Sequence, residues 1–126
     1  MRKNSGFTLI ELIAVMVILA ILAVVAVPQF VDLRADARTA AINGVAGALS
    51  SAATLNFARR SVNGSGVAVA DCADVVATLQ GGALPVPPGA VPYAVTTPVP
   101  VGPGATVTCT LTGPGGPVNF TAIGIL

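Results

Sequence analysis

The chain has few residues with which to build a catalytic or metal site. Its 126 residues include no histidine and no tryptophan, and only 9% of them are charged. Histidine is the usual general base and a common transition-metal ligand, so its absence excludes the commonest sites of both kinds. Six basic and five acidic residues leave a net charge of +1, too little for the basic patch that a nucleic-acid surface needs. We therefore expect no catalytic residue, no enzymatic activity, no metal, no cofactor and no nucleic-acid partner.

What the chain does have is one long apolar stretch, residues 7–27, in which Thr8 and Glu11 are the only polar side chains. As a helix it would span about 31 Å, enough to cross the hydrocarbon core of a bilayer. Glu11 is the anomaly, because a carboxylate in such a span costs about 2.5–3.5 kcal/mol at the helix centre and less near an interface. Arg2 and Lys3 precede the stretch and predict a cytoplasmic N-terminus, so the chain beyond residue 27 is exported.

Gly6 directly precedes the stretch, and the run Gly6-Phe7-Thr8-Leu9-Ile10-Glu11 resembles the leader junction of type IV prepilins. The resemblance implies that a prepilin peptidase cuts between Gly6 and Phe7, removes residues 1–6 as a leader peptide, and methylates the new amine of Phe7. Residues 7–27 then stay as a transmembrane and polymerisation helix. In line with the resemblance, we expect Glu11 to set the register of assembly by pairing with the Phe7 amine of an adjacent subunit. A plain signal-anchor helix is the alternative, but it explains neither Glu11 nor the position of Gly6.

Pro28 ends the purely apolar run and predicts a local kink in the helix. Residues 28–62 then continue as an Ala-rich, amphipathic helix of a globular domain. The inward stripe of this helix is predicted to consist of Ala41, Ile42, Val45, Ala48, Leu49, Ala52 and Leu55. The run PQFVDLRADARTAAINGVAGALSSA is similar to the mannose-sensitive haemagglutinin class of type IVa pilins.

Residues 63–126 are predicted to form a loop-rich β domain. Residues 71–79 are either a short helix with Asp71 as its N-cap or an irregular loop. Seven of the ten prolines lie between residues 81 and 104, which allows at most one short edge strand, near residues 93–96. Residues 105–112 alternate between apolar side chains and threonine, and residues 117–125 follow after a GPGG turn, which predicts a hairpin. The expected fold is α+β, a long N-terminal helix packed on a small antiparallel sheet, as in pilins.

Both cysteines, Cys72 and Cys109, lie in the exported part, where an oxidising compartment favours a disulfide. The bridge would close a 37-residue loop and contribute about 4 kcal/mol in the chain-entropy account. Two buried, unpaired thiols are the alternative.

These features predict a structural subunit of a type IV pilus, serving adhesion, motility or surface attachment. Its partners are further copies of itself in a helical polymer, the inner membrane before assembly, the prepilin peptidase and the pilus assembly machinery. The precursor is expected to be a single-pass inner-membrane protein with its C-terminal domain outside the cytoplasm, and the assembled pilus extracellular. A pseudopilin of a type II secretion system is the alternative, although the chain has no acid after Asp74 for the calcium site that the resemblance implies in major pseudopilins. A membrane-tethered binding module, with the threonine-rich strand as its binding face, is a third possibility.

Four charges follow the apolar run, and they are spaced as two like-charge pairs. Asp32 and Asp36 lie four residues apart, as do Arg34 and Arg38, so the two signs fall on different sides of a helix. Solvated charges that keep the helix clear of the membrane are one interpretation. The other is that the acidic side of one subunit meets the basic side of its neighbour.

The second interpretation makes a testable prediction. Changing Asp32 and Asp36 to Arg should block filament assembly by like-charge repulsion, and changing Arg34 and Arg38 to Asp in the same chain should restore it. Electron microscopy of sheared surface filaments measures both outcomes. Absence of restoration in the fourfold variant would contradict charge pairing between subunits.

Overall fold

This computed structural model describes residues 6–87, 89, 91–96 and 98–126, apart from the side chains of residues 29–32. The chain divides into two compact units, Met1–Ala35 and Asp36–Leu126. The regular elements, in order, are helix α1 (Leu9–Asn63), a 3₁₀ helix (Asp74–Thr78), and strands β1 (Ala94–Val95), β2 (Thr106–Thr112) and β3 (Val118–Ile123). The expected α+β class, a long N-terminal helix with a small antiparallel sheet, is confirmed.

The sheet has three antiparallel strands in the order β1-β2-β3. β2 and β3 form the predicted hairpin, with Cys109 opposite Phe120. Its turn is closed by the Gly116 N–H, which donates to the Gly113 carbonyl oxygen at 3.0 Å. β1 is the predicted short edge strand and pairs through Ala94 with Thr112 of β2. The Pro-rich composition around β1 keeps it to two residues, since proline cannot donate to a ladder.

The hydrophobic core of the second unit lies between α1 and one face of the sheet. The alternation in β2 and β3 places Cys109, Leu111, Phe120 and Ala122 inward, as predicted, and the threonines of β2 on the other face. The core is completed from α1 and from the segments that flank the sheet by Ile42, Ala46, Leu49, Ala53, Val69, Cys72, Val75 and Val101.

The predicted inward stripe of α1 was right only in part. Ile42 and Leu49 are fully buried and Val45 and Ala52 are half-buried, but Ala41, Ala48 and Leu55 are exposed. The remaining buried positions of the helix are Ala46, Ala53 and Asn56, and the Asn56 amide has a hydrogen-bond partner inside. Alanine occurs on every side of this helix, so periodicity alone could not select the buried face.

Asn56 joins α1 to the segment that follows it. Its Nδ2 donates to the Val67 carbonyl oxygen, and its Oδ1 accepts from the Val67 N–H, both at 2.8 Å. Gly66 allows this approach, because a Cβ there would lie 2.6 Å from the Asn56 Oδ1 and its φ is +133°. Arg60 adds a bond from Nη1 to the Gly66 carbonyl oxygen at 3.0 Å. The Asn56 side-chain amide therefore bonds to both backbone groups of Val67, as a paired strand would. These bonds satisfy the polar atoms of a buried side chain.

α1 ends at Asn63 because Gly64 adopts a left-handed conformation, with φ of +69°. The Gly64 N–H donates to the Arg60 carbonyl oxygen at 3.0 Å, which satisfies one of the unpaired carbonyls of the last turn. The chain then turns back along the helix.

The segment that follows Val67 contains the 3₁₀ helix, and the N-cap residue of this helix is Ala73. One of the two alternatives for residues 71–79 was a short helix with Asp71 as its N-cap, and that alternative was wrong. Asp71 instead accepts the backbone N–H groups of Ala73 and Asp74 through Oδ1. In turn, the Asp74 Oδ2 accepts hydrogen bonds from the backbone N–H groups of Ala70 and Asp71. The two carboxylates are occupied with shaping this turn.

A disulfide joins Cys72, which precedes the 3₁₀ helix, to Cys109 at the centre of β2. Both residues are fully buried, with a Cα–Cα separation of 5.8 Å. The bridge therefore ties an irregular segment to the middle of the hairpin, and the alternative of two unpaired thiols is not what the structure contains.

The Asn56 pairing predicts a loss of stability when it is removed. Asn56→Ala should lower the free energy of unfolding by about 2 kcal/mol, because the Val67 N–H and carbonyl group lose their partner. Denaturant unfolding of the full chain in detergent measures the change. Thr54→Val is the control, since that exposed hydroxyl bonds only the Ser50 carbonyl oxygen and should matter little. Equal stability of Asn56→Ala and the unaltered chain would contradict a structural role for the pair.

Candidate processing and assembly site

The predicted cleavage site lies in the short segment that precedes α1. Gly6, Phe7 and Thr8 have no regular secondary structure, and α1 begins at Leu9. Gly6 is exposed with no atom near its Cα hydrogens, and Phe7 is 79% exposed. The Gly6–Phe7 peptide is therefore exposed and lies outside regular secondary structure, which leaves it accessible to a protease. The rest of the predicted leader, residues 1–5, lies outside the described residues.

Thr8 and Glu11 open the helix together. The Thr8 carbonyl oxygen accepts from the N–H groups of Glu11 and Leu12 at 3.1 and 3.3 Å. The Thr8 hydroxyl donates to the Glu11 Oε2 at 3.3 Å. A threonine followed three residues later by a glutamate is the spacing of a capping box. The positive end of the helix dipole also favours a carboxylate in the first turn.

This contact gives Glu11 a partner inside its own chain, which the sequence interpretation did not consider. It treated Thr8 only as a polar interruption of the apolar run. The T-x-x-E spacing at the start of a helix was the signal that could have identified it. Glu11 is nonetheless exposed, so its carboxylate remains accessible to a second partner.

The apolar surface at the start of α1 is not covered by any other described part of the chain. A window of 18 residues has a mean hydropathy of 3.1 and is 0% buried, which makes α1 long and apolar enough to cross a membrane. The large side chains exposed on this segment are Leu9, Ile10, Leu12, Ile13, Val15, Met16, Val17, Ile18, Leu19, Ile21, Leu22, Val24, Val25 and Val27. They cover every side of the helix, as expected for a segment that lipid or other protein must surround.

The helix continues through Pro28, which lies inside α1 rather than at its end. Its predicted role as a kink stays a prediction. The side chain of Asp32 lies outside the described residues. The other three predicted intersubunit charges, Arg34, Asp36 and Arg38, are exposed and form no ion pair with one another. Their exposure is what an intersubunit role requires, and that role stays a prediction.

Metal chemistry finds no support in the described part of the chain, where no group of three or more His, Cys, Asp or Glu side chains converges. Asp71 and Asp74 come closest, but their oxygens accept backbone N–H groups.

Residues 1–27 match a protein family described as the prokaryotic N-terminal methylation motif. The chain is type IV pilin-like. This motif marks the precursors of type IV pilins and pseudopilins, which are structural subunits, and it implies processing by a prepilin peptidase and assembly into pili. The apolar helical segment that lies within the matched residues is consistent with a membrane-anchored precursor.

The family match of this pilin-like chain does not extend beyond residue 27. No curated protein and no solved structure matches it. The motif match ends at residue 27, so the likeness of residues 28–60 to the mannose-sensitive haemagglutinin class stays a prediction.

The cleavage site predicts a specific defect. Gly6→Leu should leave the leader attached, because the peptidase is expected to require a small residue on the N-terminal side of the cut. Mass spectrometry of the membrane-bound protein reads the N-terminus directly, and the unaltered chain should begin at a methylated Phe7. Thr8→Ser serves as the matched control that keeps normal cleavage. Recovery of the same N-terminus from Gly6→Leu would show that the cut lies elsewhere.

Proposed function

We propose that this protein is the structural subunit of a type IV pilus that polymerises through residues 7–27 after losing residues 1–6. The observation that carries the proposal is the apolar start of α1, which is unburied and lies within the residues that match the methylation motif. In the membrane, lipid covers this surface. In a filament, the same surface of neighbouring copies has to cover it.

Apolar burial supplies the association energy in this account, at about 25 cal/mol for each Å² removed from water. Apolar helices can slide along one another, so the association also needs a register. Cleavage would free the amine of Phe7, and the Glu11 carboxylate is exposed three residues from a hydroxyl that it already contacts. Pairing of Glu11 with the Phe7 amine of a neighbour would penalise every register that leaves a charge unpaired in an apolar bundle.

Residues 28–62 carry the subunit from the polymerising segment into the exported domain. Pro28 removes one backbone hydrogen bond, which would let the helix loosen and lengthen there as the subunit leaves the bilayer. The exported domain then lies on the outside of the fibre, where adhesion, motility or surface attachment takes place. The assembly partners in this proposal are other copies of the chain, the prepilin peptidase and the assembly machinery of the inner membrane.

A pseudopilin of a type II secretion system is the second candidate, because the methylation motif is common to both kinds of subunit. The calcium site expected of a major pseudopilin requires several carboxylate or carbonyl oxygens. The sequence contains no acid after Asp74, and the carboxylates of Asp71 and Asp74 are engaged with backbone N–H groups. These observations favour the pilus subunit.

The role of Glu11 is tested by Glu11→Ala. This variant should insert into the membrane and lose its leader as the unaltered chain does, but it should form no filaments because the register is lost. Membrane fractionation and N-terminal mass spectrometry measure the first two steps, and electron microscopy of sheared filaments measures the third. Normal filaments from Glu11→Ala would falsify the register role.

A further inference from the structure

Two asparagines of the chain, Asn43 and Asn63, are each followed by a glycine. In such a pair the backbone nitrogen of the glycine can attack the side-chain amide carbon of the asparagine, because glycine has no Cβ to obstruct the approach. The attack forms a bond from that nitrogen to Cγ, and the amide nitrogen leaves as ammonia. The resulting five-membered succinimide takes up water and opens to aspartate or isoaspartate. The two pairs are chemically alike, so the fold decides which of them reacts.

Asn43 lies in the interior of α1, and its backbone protects it. Its side chain is exposed, and a Cβ on Gly44 would meet open space, so no other described part of the chain shields this pair. The Gly44 nitrogen, however, belongs to the hydrogen-bond ladder of α1. Ring closure would require a cooperative helix to open in its middle. We therefore expect Asn43 to stay intact in the folded chain.

Asn63 is the last residue of α1, and residues 64–66 are exposed and outside regular secondary structure. The Gly64 N–H donates to the Arg60 carbonyl oxygen at 3.0 Å, and this bond has to open before the nitrogen can attack. It is the last backbone bond at an exposed helix end, where local opening costs the least free energy. The Gly64 nitrogen is therefore released far more often than that of Gly44.

Ser65 holds the Asn63 amide in a reactive arrangement. The Ser65 N–H donates to the Asn63 Oδ1 at 2.9 Å, and the Ser65 hydroxyl donates to the same atom at 2.5 Å. Attack on Cγ places negative charge on Oδ1. Two donors that already point at this atom stabilise that charge in the tetrahedral intermediate, as the donors of an oxyanion hole do.

We propose that Asn63 is a site of spontaneous deamidation, selected over Asn43 by the end of the helix and accelerated by Ser65. The reaction consumes one water molecule, releases one ammonia and needs no enzyme or cofactor. Asn56 and Asn119 are each followed by phenylalanine, whose Cβ obstructs the same attack. This inference is independent of the proposed function, since it concerns only the chemistry of the second unit.

Deamidation changes the charge of the second unit. Its side chains include three arginines and three aspartates, so their formal charges cancel. A carboxylate at position 63 makes the unit anionic and lies three residues after Arg60, the basic residue of the last helical turn. Copies of the protein therefore become more acidic as they age, without any change in their sequence as synthesised.

Labelling with heavy oxygen tests the choice of site. The full chain is kept folded in detergent at neutral pH in water labelled with heavy oxygen, then digested with trypsin in ordinary water and analysed by mass spectrometry. Cleavage after Arg59 and Arg60 separates the two asparagines. We expect labelled acid at position 63, with the rate at Asn43 lower by about tenfold or more. In denaturant both sites should react at similar rates.

Two results would overturn the proposal. Equal rates at Asn43 and Asn63 in the folded chain would show that the helix end does not select the site. An intact Asn63 in the folded chain, together with its reaction in denaturant, would show that the bond to Arg60 protects it.

Substitution of Ser65 tests its part separately. Ser65→Ala should slow the reaction at Asn63 about tenfold, because Oδ1 loses one donor. Ser65→Thr keeps the hydroxyl and should react at nearly the unaltered rate. Ser61→Ala is the matched control, since Ser61 is exposed on the last turn of the same helix and should not affect the rate. An unchanged or faster reaction in Ser65→Ala would show that Ser65 does not accelerate it.

Discussion

In the part of the chain that the structure describes, the apolar surface of residues 9–27 is unburied, and the need to cover it is the main physical constraint on this protein. A helix that is hydrophobic on every side is stable only when something surrounds it. Lipid does so in a membrane-anchored precursor, and neighbouring copies would do so in a polymer. The methylation motif occupies the same end of the chain, so the site of processing and the surface that needs cover are adjacent.

The second unit, Asp36–Leu126, has the opposite problem, because it has little apolar material beyond α1 and one face of a three-stranded sheet. Small domains of this kind often need additional constraints. Here Asn56 fastens the segment after the helix, and the Cys72–Cys109 bridge fastens an irregular stretch to the middle of the hairpin. Ser50 on α1 also accepts the Thr121 N–H of β3, so the helix bonds to the sheet edge as well as covering the core. These few contacts hold a loop-rich unit together with little secondary structure.

Sequence patterns were sufficient wherever one signal had a single interpretation. The alternation in β2 and β3 predicted which side chains face inward, and the GPGG run predicted the turn between them, because a period of two fits no other element. The buried face of α1 was predicted only in part because its pattern had no such contrast. Leu55 was predicted to be buried and is exposed, while Asn56, which is polar, is buried. Helix periodicity ranks the faces of a helix by their hydrophobicity. It cannot detect that the Asn56 side-chain amide will find hydrogen-bond partners on the backbone of Val67.

The sequence by itself determined the long apolar helix, the methylation motif and the hairpin, since each depends on a local pattern, and it left each cysteine only one possible partner within the chain. The tertiary structure alone decided which side of α1 meets the sheet, that Asn56 pairs with Val67, and that Thr8 contacts Glu11. It also left Gly44 and Gly47 facing open space. These features depend on which groups come together in three dimensions and on the space between them, and neither is encoded in the spacing of residues along the chain.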